Sequence, residues 1–336
     1  MAPLARPVAA FALTPKLFAD LFPEDVCKRI NDVAEVVPGL LTDFTSAAAL
    51  EVLARTEVLL TGWGCPVIDL EVLAAAPRLR AVLHAAGTVK HHVSQAVYER
   101  GILVSSAAAA NAQPVAEYTV AAIVLGLKRV FQQAHQYALG KPDLSHVAGE
   151  RIGLTGTTIG IVGASRIGRL VAEMLRDHDV RVLLHDPYVT DHEIAALGAE
   201  PSDLDTLCAL SDAVTIHAPE LPETHHLIDA RRLGLMRDRT LLINTARGSL
   251  LDTEALIPHC VSGRIDAVLD VTTPEPLPAG HPLLGLPNVL ITPHLAGSRG
   301  RELRLLGAHT AADLERFVTG LPMAGLVQPV DLPRIA

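Results

Sequence analysis

The fold is decided by one stretch of sequence, Thr158-Ile-Gly-Ile-Val-Gly163-Ala-Ser165-Arg166-Ile167-Gly168. An apolar run ends at Gly163, and a helical pattern begins directly after it. Gly163 permits a tight turn, and Gly168 permits a helix to pack closely on the strand. The start of that helix offers free N–H groups and the positive end of its dipole to an anion. The stretch therefore predicts a strand–turn–helix unit that cradles the pyrophosphate of a dinucleotide.

Asp186 follows the next apolar run, 23 residues after Gly163. A carboxylate at this place accepts a hydrogen bond from the adenine ribose and repels a 2′-phosphate, which favours NAD over NADP. Ser165 departs from the fingerprint, which has its middle glycine there. The serine side chain crowds the pyrophosphate, although its hydroxyl could donate to it. The alternative interpretation is a glycine turn in an α/β domain that binds no nucleotide.

Apolar runs alternate with helical patterns on both sides of this turn, which is typical of parallel α/β architecture. Six predicted strands in one series match a complete doubly wound dinucleotide fold. They are Ile159–Val162, Val180–His185, Ala213–His217, Thr240–Asn244, Ala267–Asp270 and Val289–Thr292. Further strands are predicted in the first third of the chain. They are Ala9–Leu13, Glu57–Leu60, Ala81–His84 and Ile102–Val104.

The predicted helices place this central series within the chain. Thr14 is expected to cap a helix that begins at Pro15. One long apolar helix is predicted from Glu117 to Leu139, and a polar stretch then runs to Gly153. Another helix is predicted from Arg299 to Thr319. The dinucleotide-type domain therefore lies in the middle of the chain, with sequence left over on both sides.

Composition limits the class of protein. The 336 residues carry a net charge of −9, and 49% of them are apolar. This length suggests roughly two domains, and the apolar fraction excludes general disorder. The negative charge argues against nucleic acid as a partner, and no apolar run reaches the roughly 18 residues of a membrane span. Four scattered cysteines predict neither a disulfide framework nor a metal site, and the opening residues lack a secretory pattern, so we expect a cytoplasmic protein.

Three charged or titratable groups follow predicted strands of the central series: Arg247, Glu275 and His294. Ligands of an open α/β sheet bind at the carboxyl ends of its strands. Arginine can hold a carboxylate with two hydrogen bonds, and histidine transfers protons near neutral pH while a neighbouring carboxylate orients it. Beside a nicotinamide, this set suits the interconversion of a 2-keto acid and a 2-hydroxy acid. Taken singly, Arg247 also fits a surface ion pair, Glu275 a solvated loop acid and His294 a capping residue.

The chain resembles the D-isomer-specific 2-hydroxyacid dehydrogenases over nearly its whole length. The resemblance rests on motifs that occur in a fixed order. They are Asn111-Ala-Gln-Pro-Val-Ala-Glu117, the glycine turn from Gly160 to Gly168, His185-Asp186-Pro187, Ser211-Asp-Ala-Val-Thr-Ile-His-Ala-Pro219, Asn244-Thr-Ala-Arg-Gly248, Asp270 with Glu275-Pro276, and Pro293-His294. It implies two doubly wound parallel-sheet domains with a cleft between them. Residues 1–112 and 301–336 would form a flavodoxin-like substrate-binding domain, and residues 113–300 an NAD-binding Rossmann domain.

The resemblance also implies roles for individual residues. Arg247 corresponds to the substrate-binding arginine, His294 to the acid/base, and Glu275 to the carboxylate partner of His294. The loop at Gly87, Thr88 and Val89 corresponds to the one whose backbone N–H groups receive the substrate carboxylate. The implied cofactor-binding residues are Thr88, Gly163, Ser165, Arg166, Ile167, Gly168, Asp186, Ala218, Pro219, Thr245, Asp270 and Gly297. Members of the family are commonly dimers, so a homodimer is expected.

Other departures from the family leave the substrate open. Lys90-His91-His92 replaces an apolar residue followed by Asp-Asn, and Thr272-Thr273 stands where an aromatic residue is common. Solvated side chains are expected for Lys90, His91, His92 and His84. Trp63 fits a pocket wall and core packing equally well.

The sequence leaves two alternative functions open. One is a regulator that senses NAD without catalysis, like the C-terminal-binding-protein corepressors, and the presence of all three site residues disfavours it. The other is a formate dehydrogenase. That branch pairs its histidine with glutamine, so Glu275 argues against it.

Overall fold

The computed structural model describes residues 6–141 and 152–334. The chain forms two compact units, Met1–Asn111 with Ser298–Ala336, and Ala112–Gly297. The sequence alone predicts boundaries at 112 and 301. In the described ranges, no helix combines the length and the apolar character that crossing a membrane requires.

The first unit is built on a five-stranded parallel sheet with the order β2-β1-β3-β4-β5, which is the flavodoxin-like order. Its strands are β1 (Val8–Ala12), β2 (Glu35–Leu41), β3 (Val58–Thr61), β4 (Ala81–His84) and β5 (Leu103–Ser106). Its helices are α1 (Pro15–Leu21), α2 (Glu24–Val33), α3 (Ala47–Arg55), α4 (Leu70–Ala75), α5 (Gln95–Glu99) and α13 (Leu303–Thr319). Pro15 opens α1 after Thr14, as predicted, although the Thr14 side chain makes no capping hydrogen bond.

Strand β2 is a correction to the sequence-based prediction, which placed no strand there. Pro38 and Gly39 interrupt its apolar pattern, and Gly39 has a φ of +95°. The strand lies at the edge of the sheet and pairs only with β1 in the sheet order. Proline is tolerated at an edge because one side of the strand needs no ladder hydrogen bonds.

The second unit is built on a seven-stranded parallel sheet with the order β12-β11-β10-β9-β6-β7-β8. Its strands are β6 (Thr157–Val162), β7 (Val180–His185), β8 (Glu200–Pro201), β9 (Ala213–Ile216), β10 (Thr240–Asn244), β11 (Ile265–Leu269) and β12 (Val289–Ile291). Its helices are α6 (Ala108–Leu127), which begins just before the boundary, α7 (Val130–Ala138), α8 (Arg166–Leu175), α9 (Asp191–Ala196), α10 (Leu204–Leu210), α11 (Ala230–Leu235) and α12 (Thr253–Val261). The chain reverses its direction across the sheet between β6 and β9, which is where doubly wound proteins bind nucleotides.

The prediction of one long helix from Glu117 to Leu139 was wrong. Helix α6 begins at Ala108 and continues through Pro114, and the helical path breaks before α7. Arg129 has a φ of +54° at this break, a left-handed conformation that an α-helix cannot contain. Part of the polar stretch predicted to follow, residues 142–151, lies outside the described residues.

Each unit has an apolar core on both faces of its sheet. In β1, Ala9 and Phe11 pack in one cluster, whereas Ala10 and Ala12 pack in another. In β10, Leu242 and Ile243 likewise belong to different clusters. Successive residues of a strand point to opposite faces, so helices cover both sides of each sheet. The strand ends are therefore the places where polar groups can gather.

Candidate active site

The glycine turn joins β6 to α8. Gly163 has a φ of +100°, and a Cβ on it would lie 2.6 Å from the backbone nitrogen of Ala218, which follows β9. A Cβ on Gly168 would collide with the carbonyl oxygen of Gly163. Both positions therefore require glycine. The first N–H groups of α8, which include those of Arg166 and Ile167, have no acceptor within the helix and suit an anion.

Ser165 is the N-cap of α8. Its Oγ accepts a hydrogen bond from the Gly168 nitrogen at 3.3 Å, and its φ of −62° is open to any residue. Serine is among the preferred N-cap residues because its side chain satisfies an exposed N–H group of the first turn. The departure from glycine thus stabilises the helix that begins the turn. The hydroxyl proton of Ser165 stays available for a phosphate oxygen.

Asp186 directly follows β7 and lies against the same turn. Its Oδ2 accepts a hydrogen bond from the Ala164 nitrogen at 2.7 Å, and its Oδ1 accepts one from the Tyr188 nitrogen at 2.9 Å. These bonds fix the carboxylate beside the glycine turn. Each oxygen keeps a lone pair for a ribose hydroxyl. The rigid turn, the free helix start and the fixed carboxylate together fit NAD.

Asp270 holds the loop that carries His294. It follows β11 and is 2% exposed. Its Oδ1 accepts from the Leu295 nitrogen at 2.8 Å, its Oδ2 from the Ala296 nitrogen at 2.9 Å, and its carbonyl oxygen from the His294 nitrogen at 2.9 Å. His294 has a φ of +51°, an uncommon conformation for a residue other than glycine. Three consecutive N–H groups bound to one aspartate maintain this conformation.

His294 and Glu275 form a direct pair. The Nδ1 of His294 lies 2.8 Å from the Oε1 of Glu275. The two side chains are about half exposed, at 51% and 42%. A carboxylate oxygen accepts hydrogen bonds, so Nδ1 carries the proton of this pair. The other ring nitrogen, Nε2, is then the one that can exchange a proton with a ligand.

Arg247 follows β10 on a loop that Asn244 clamps. The Asn244 Nδ2 donates to the Arg247 carbonyl oxygen at 2.8 Å, and the Ala246 nitrogen donates to the Asn244 Oδ1 at 3.1 Å. A Cβ on Gly248 would collide with the Thr272 carbonyl group. The loops after β10 and β11 are therefore in direct contact, and β11 is in turn paired with β12, which precedes His294.

The other predicted cofactor residues of this unit lie at strand ends as well. Ala218 and Pro219 follow β9, where Ala218 contacts the glycine turn. Thr245 follows β10, and its Oγ1 lies 3.1 Å from the Oγ1 of Thr119 in α6. Gly297 is the last residue of the unit.

The predicted substrate loop belongs to the first unit. Gly87, Thr88 and Val89 follow β4, and Val89 is fully buried. The Lys90 nitrogen donates to the Thr88 Oγ1 at 3.4 Å. The nearest side-chain atom to a Cβ on Gly87 would be the Nδ2 of Asn111, at 3.7 Å.

The expectation of solvated histidines was wrong for His84 and His92. They are only 3% and 7% exposed, and their rings pack 4.1 Å apart. The Nδ1 of His84 lies 2.9 Å from the Oγ1 of Thr61. Burial lowers the pKa of His84 well below its usual range and that of His92 to about 4, so both are neutral at pH 7. Lys90 and His91 are exposed as expected.

Trp63 is 39% exposed and is therefore not a core residue. Sequence reasoning also missed Thr292, whose Oγ1 donates to the Asp270 Oδ1 at 2.6 Å. The available signal was its place immediately before Pro293-His294.

These features define a dinucleotide-binding α/β protein. A family model described as "D-isomer specific 2-hydroxyacid dehydrogenase, NAD binding domain" matches residues 121–296. The chain belongs to this family, and residues 121–296 are its NAD-binding domain.

Known proteins resemble the chain beyond that domain. D-3-phosphoglycerate dehydrogenase of Methanocaldococcus jannaschii is 30% identical over 95% of this chain and 60% of its own length. Glyoxylate reductase of Thermofilum pendens is 39% identical over 69% of each chain. The TT0316 protein of Thermus thermophilus, known from a crystal structure, has a TM-score of 0.74 and 30% identity, covering 96% of this chain and 100% of its own. The chain thus spans 60% or less of the length of two D-3-phosphoglycerate dehydrogenases, those of M. jannaschii and Archaeoglobus fulgidus.

Proposed function

We propose that the protein is an NAD(H)-dependent oxidoreductase that interconverts a small 2-keto acid and the corresponding D-2-hydroxy acid. The observation that carries this proposal is the pair formed by His294 and Glu275 at 2.8 Å, on a loop fixed by Asp270. This pair lies in the same unit as the glycine turn. Family membership and the chemistry of the named relatives support the reaction type.

The residues have distinct roles in the proposed reaction. The nicotinamide, when bound, supplies or accepts the hydride. Arg247 binds the substrate carboxylate with two parallel hydrogen bonds. In reduction, the Nε2 of protonated His294 donates a proton to the carbonyl oxygen of the keto acid. In oxidation, the neutral ring takes that proton from the hydroxyl group.

Glu275 determines which nitrogen of His294 reacts. It accepts the Nδ1 proton, fixes the plane of the ring and stabilises the positive charge of the imidazolium. Proton transfer by a positioned side chain typically contributes about 10²–10⁴-fold to a rate.

The proposal also covers the residues that bind the cofactor and the oligomeric state of the protein. Gly163, Ser165, Arg166, Ile167 and Gly168 would hold the pyrophosphate, and Asp186 the adenine ribose. The N–H groups of the loop from Gly87 to Val89 remain the predicted second contact of the substrate carboxylate. A homodimer follows from the resemblance alone, and light scattering of the purified protein tests it. A cytoplasmic location follows instead from the four scattered cysteines.

Consumption of NADH tests the proposed function. The keto acids to screen are glyoxylate, hydroxypyruvate, pyruvate, phenylpyruvate and 2-ketoisocaproate. With the best of them, His294→Ala should lose at least about 100-fold in kcat, the lower end of the usual contribution of a general acid. Its NADH dissociation constant should stay unchanged. His178→Ala, at an exposed histidine after α8, is the matched control and should keep full activity.

Two results would count against the proposal. If His294→Ala reduces the keto acid at the parent rate, the assignment of the proton donor is wrong. If the parent protein binds NADH but consumes it with none of the five acids, the proposed reaction itself is wrong.

A further inference from the structure

Helix α6 carries a hydroxyl group that reaches the loop of His294 through two residues. The Tyr118 hydroxyl oxygen lies 2.9 Å from the Thr292 Oγ1. The Thr292 Oγ1 lies 2.6 Å from the Asp270 Oδ1. Asp270 in turn binds the N–H groups of Leu295 and Ala296. A continuous series of hydrogen bonds therefore runs from α6 to the residues that follow His294.

Elementary chemistry fixes the direction of these bonds. The Asp270 carboxylate already accepts from two backbone N–H groups, and a carboxylate has no proton to give. The single hydroxyl proton of Thr292 must therefore point to Asp270. The Thr292 oxygen is then left as an acceptor for Tyr118, which donates. Burial raises the pKa of Tyr118, so the phenol keeps the proton that this bond needs.

The series acts on a buried charge that has few alternative partners. Asp270 is 2% exposed, so its oxygens depend on donors from the protein. Inside a protein, successive hydrogen bonds polarise and strengthen one another. Loss of the Tyr118 donor should weaken the bond from Thr292 to Asp270 and loosen the loop around His294, which holds an uncommon backbone conformation.

We propose that Tyr118 is a positioning residue: acting through Thr292, its hydroxyl fixes Asp270 and so holds His294 in the orientation used for proton transfer. This inference rests on the proposed function for its effect on turnover. The predicted effect of Tyr118 on the order of the loop at Leu295 and Ala296 does not depend on the proposed function.

Tyr118→Phe removes the hydroxyl and keeps the ring. A hydrogen bond contributes about 0.5–1.5 kcal/mol, so we expect kcat to fall by about 2- to 13-fold. The NADH dissociation constant and Tm should change little. Tyr98→Phe is the matched control, because the Tyr98 hydroxyl is buried in α5 without a hydrogen-bond partner among the described residues. It should keep the parental kcat.

Substitutions of Thr292 test the route. Thr292→Val should lower kcat at least as much as Tyr118→Phe, whereas Thr292→Ser keeps the hydroxyl and should restore most of the activity. The double variant Tyr118→Phe/Thr292→Val should be no slower than Thr292→Val alone, because Tyr118 acts only through Thr292. Multiplied losses in the double variant would overturn the proposal.

Amide hydrogen exchange at Leu295 and Ala296 supplies a measurement independent of turnover. Exchange should be faster in Tyr118→Phe than in Tyr98→Phe, with the rest of the unit unchanged. Unchanged exchange in Tyr118→Phe would overturn the proposal, whether kcat stays the same or falls together with Tm. If the parent protein reduces no keto acid, the proposed function fails, and faster exchange still supports the positioning role.

Discussion

At the scale of single residues, Gly163 shows how backbone conformation and close packing combine. Its φ of +100° disfavours any side chain, and a Cβ would lie 2.6 Å from the Ala218 nitrogen. Gly153 has a similar φ of +104°, but a Cβ there would meet nothing within 4 Å. Substitution of Gly153 therefore measures the free-energy cost of backbone strain alone, whereas substitution of Gly163 adds the cost of a steric clash.

Gly163→Ala should lower the affinity for NADH by at least about tenfold, or roughly 1.4 kcal/mol, because the turn must shift. Gly153→Ala should leave that affinity unchanged. Both should lose stability on the order of 1–3 kcal/mol from backbone strain, and Gly163→Ala should lose more. Titration of NADH fluorescence and urea unfolding measure these effects. Equal NADH affinities in the two variants would contradict the role assigned to the turn.

Asp266, at the start of β11, makes stability depend on pH. Burial raises its pKa to about 6, against the opposing effects of a hydrogen bond from Gln132 and the charge of Arg239. This carboxyl lies 3.6 Å from the Nη2 of Arg129, and burial still dominates. Because the folded pKa lies above the unfolded value of about 3.9, the stability contributed by Asp266 is present at pH 4 and is lost as the pH rises through 6.

We expect the change from pH 4 to pH 7 to cost about 2–3 kcal/mol through this residue, from about two pKa units at 1.36 kcal/mol each. Asp266→Asn should remove that part of the pH dependence. Asp238→Asn, at a side chain that is 84% exposed, should leave it as in the parent protein. Urea unfolding at several pH values between 4 and 7 provides the measurement. Identical pH profiles for the parent and Asp266→Asn would show that Asp266 is not the group responsible.

The role of a site residue could be predicted where it depends on neighbouring residues in the sequence, as at the turn from Gly163 to Gly168. The contact of His294 with Glu275 brings together two loops, and its distance could not be obtained from spacing along the chain. The burial of His84 and His92 was missed for the same reason, because the two residues pack against each other only after β4 has entered the sheet.

At the scale of elements, the start of α8 has both a structural and a binding role. Ser165 caps α8 through the Gly168 nitrogen, and Ser46 caps α3 in the same way through the Ala49 nitrogen. Replacing either serine by alanine should cost about 1 kcal/mol in the free energy of unfolding. Only Ser165→Ala should also weaken NADH binding, since α3, the helix that Ser46 caps, contains no predicted cofactor residue. Parallel unfolding and NADH titrations of the two variants measure this, and equal NADH affinities would limit Ser165 to capping.

Three interior strands could be predicted to the residue. The other five interior strands and the edge strands β5 and β12 could be predicted to within two residues, whereas the edge strands β2 and β8 could not be predicted. Ala81–His84, Val180–His185 and Thr240–Asn244 were predicted with their observed bounds, because strands covered on both faces read as continuous apolar runs. Strands β2 and β8 lie at sheet edges, contain proline and carry exposed positions, so their patterns are weak. The break at Arg129 has only a weak local signal, since the nearest glycine, Gly126, lies within α6 and no proline is near.

At the scale of the whole molecule, the sequence of the second unit is inserted into that of the first. The four apolar clusters of the described residues each stay within one unit, two in each. The second unit is one continuous segment, whereas the first is assembled from both ends of the chain. The two crossing points are adjacent, because the Ser298 nitrogen donates to the Asn111 Oδ1 at 2.9 Å. An independent core and a continuous segment are the usual requirements for a domain that folds alone.

Residues 112–297 expressed alone should therefore fold cooperatively and bind NADH, because the glycine turn, Asp186 and Asp270 all lie within them. Keto-acid reduction should be lost, since the loop from Gly87 to Val89 is absent. Calorimetry and NADH titration test the segment, with Gly163→Ala in the same segment as the control that should bind NADH at least about tenfold more weakly. The complementary test deletes residues 112–297 and joins Asn111 to Ser298 by a few glycines, which the hydrogen bond between these residues allows. If neither piece unfolds cooperatively, the two units depend on each other for stability despite their separate cores.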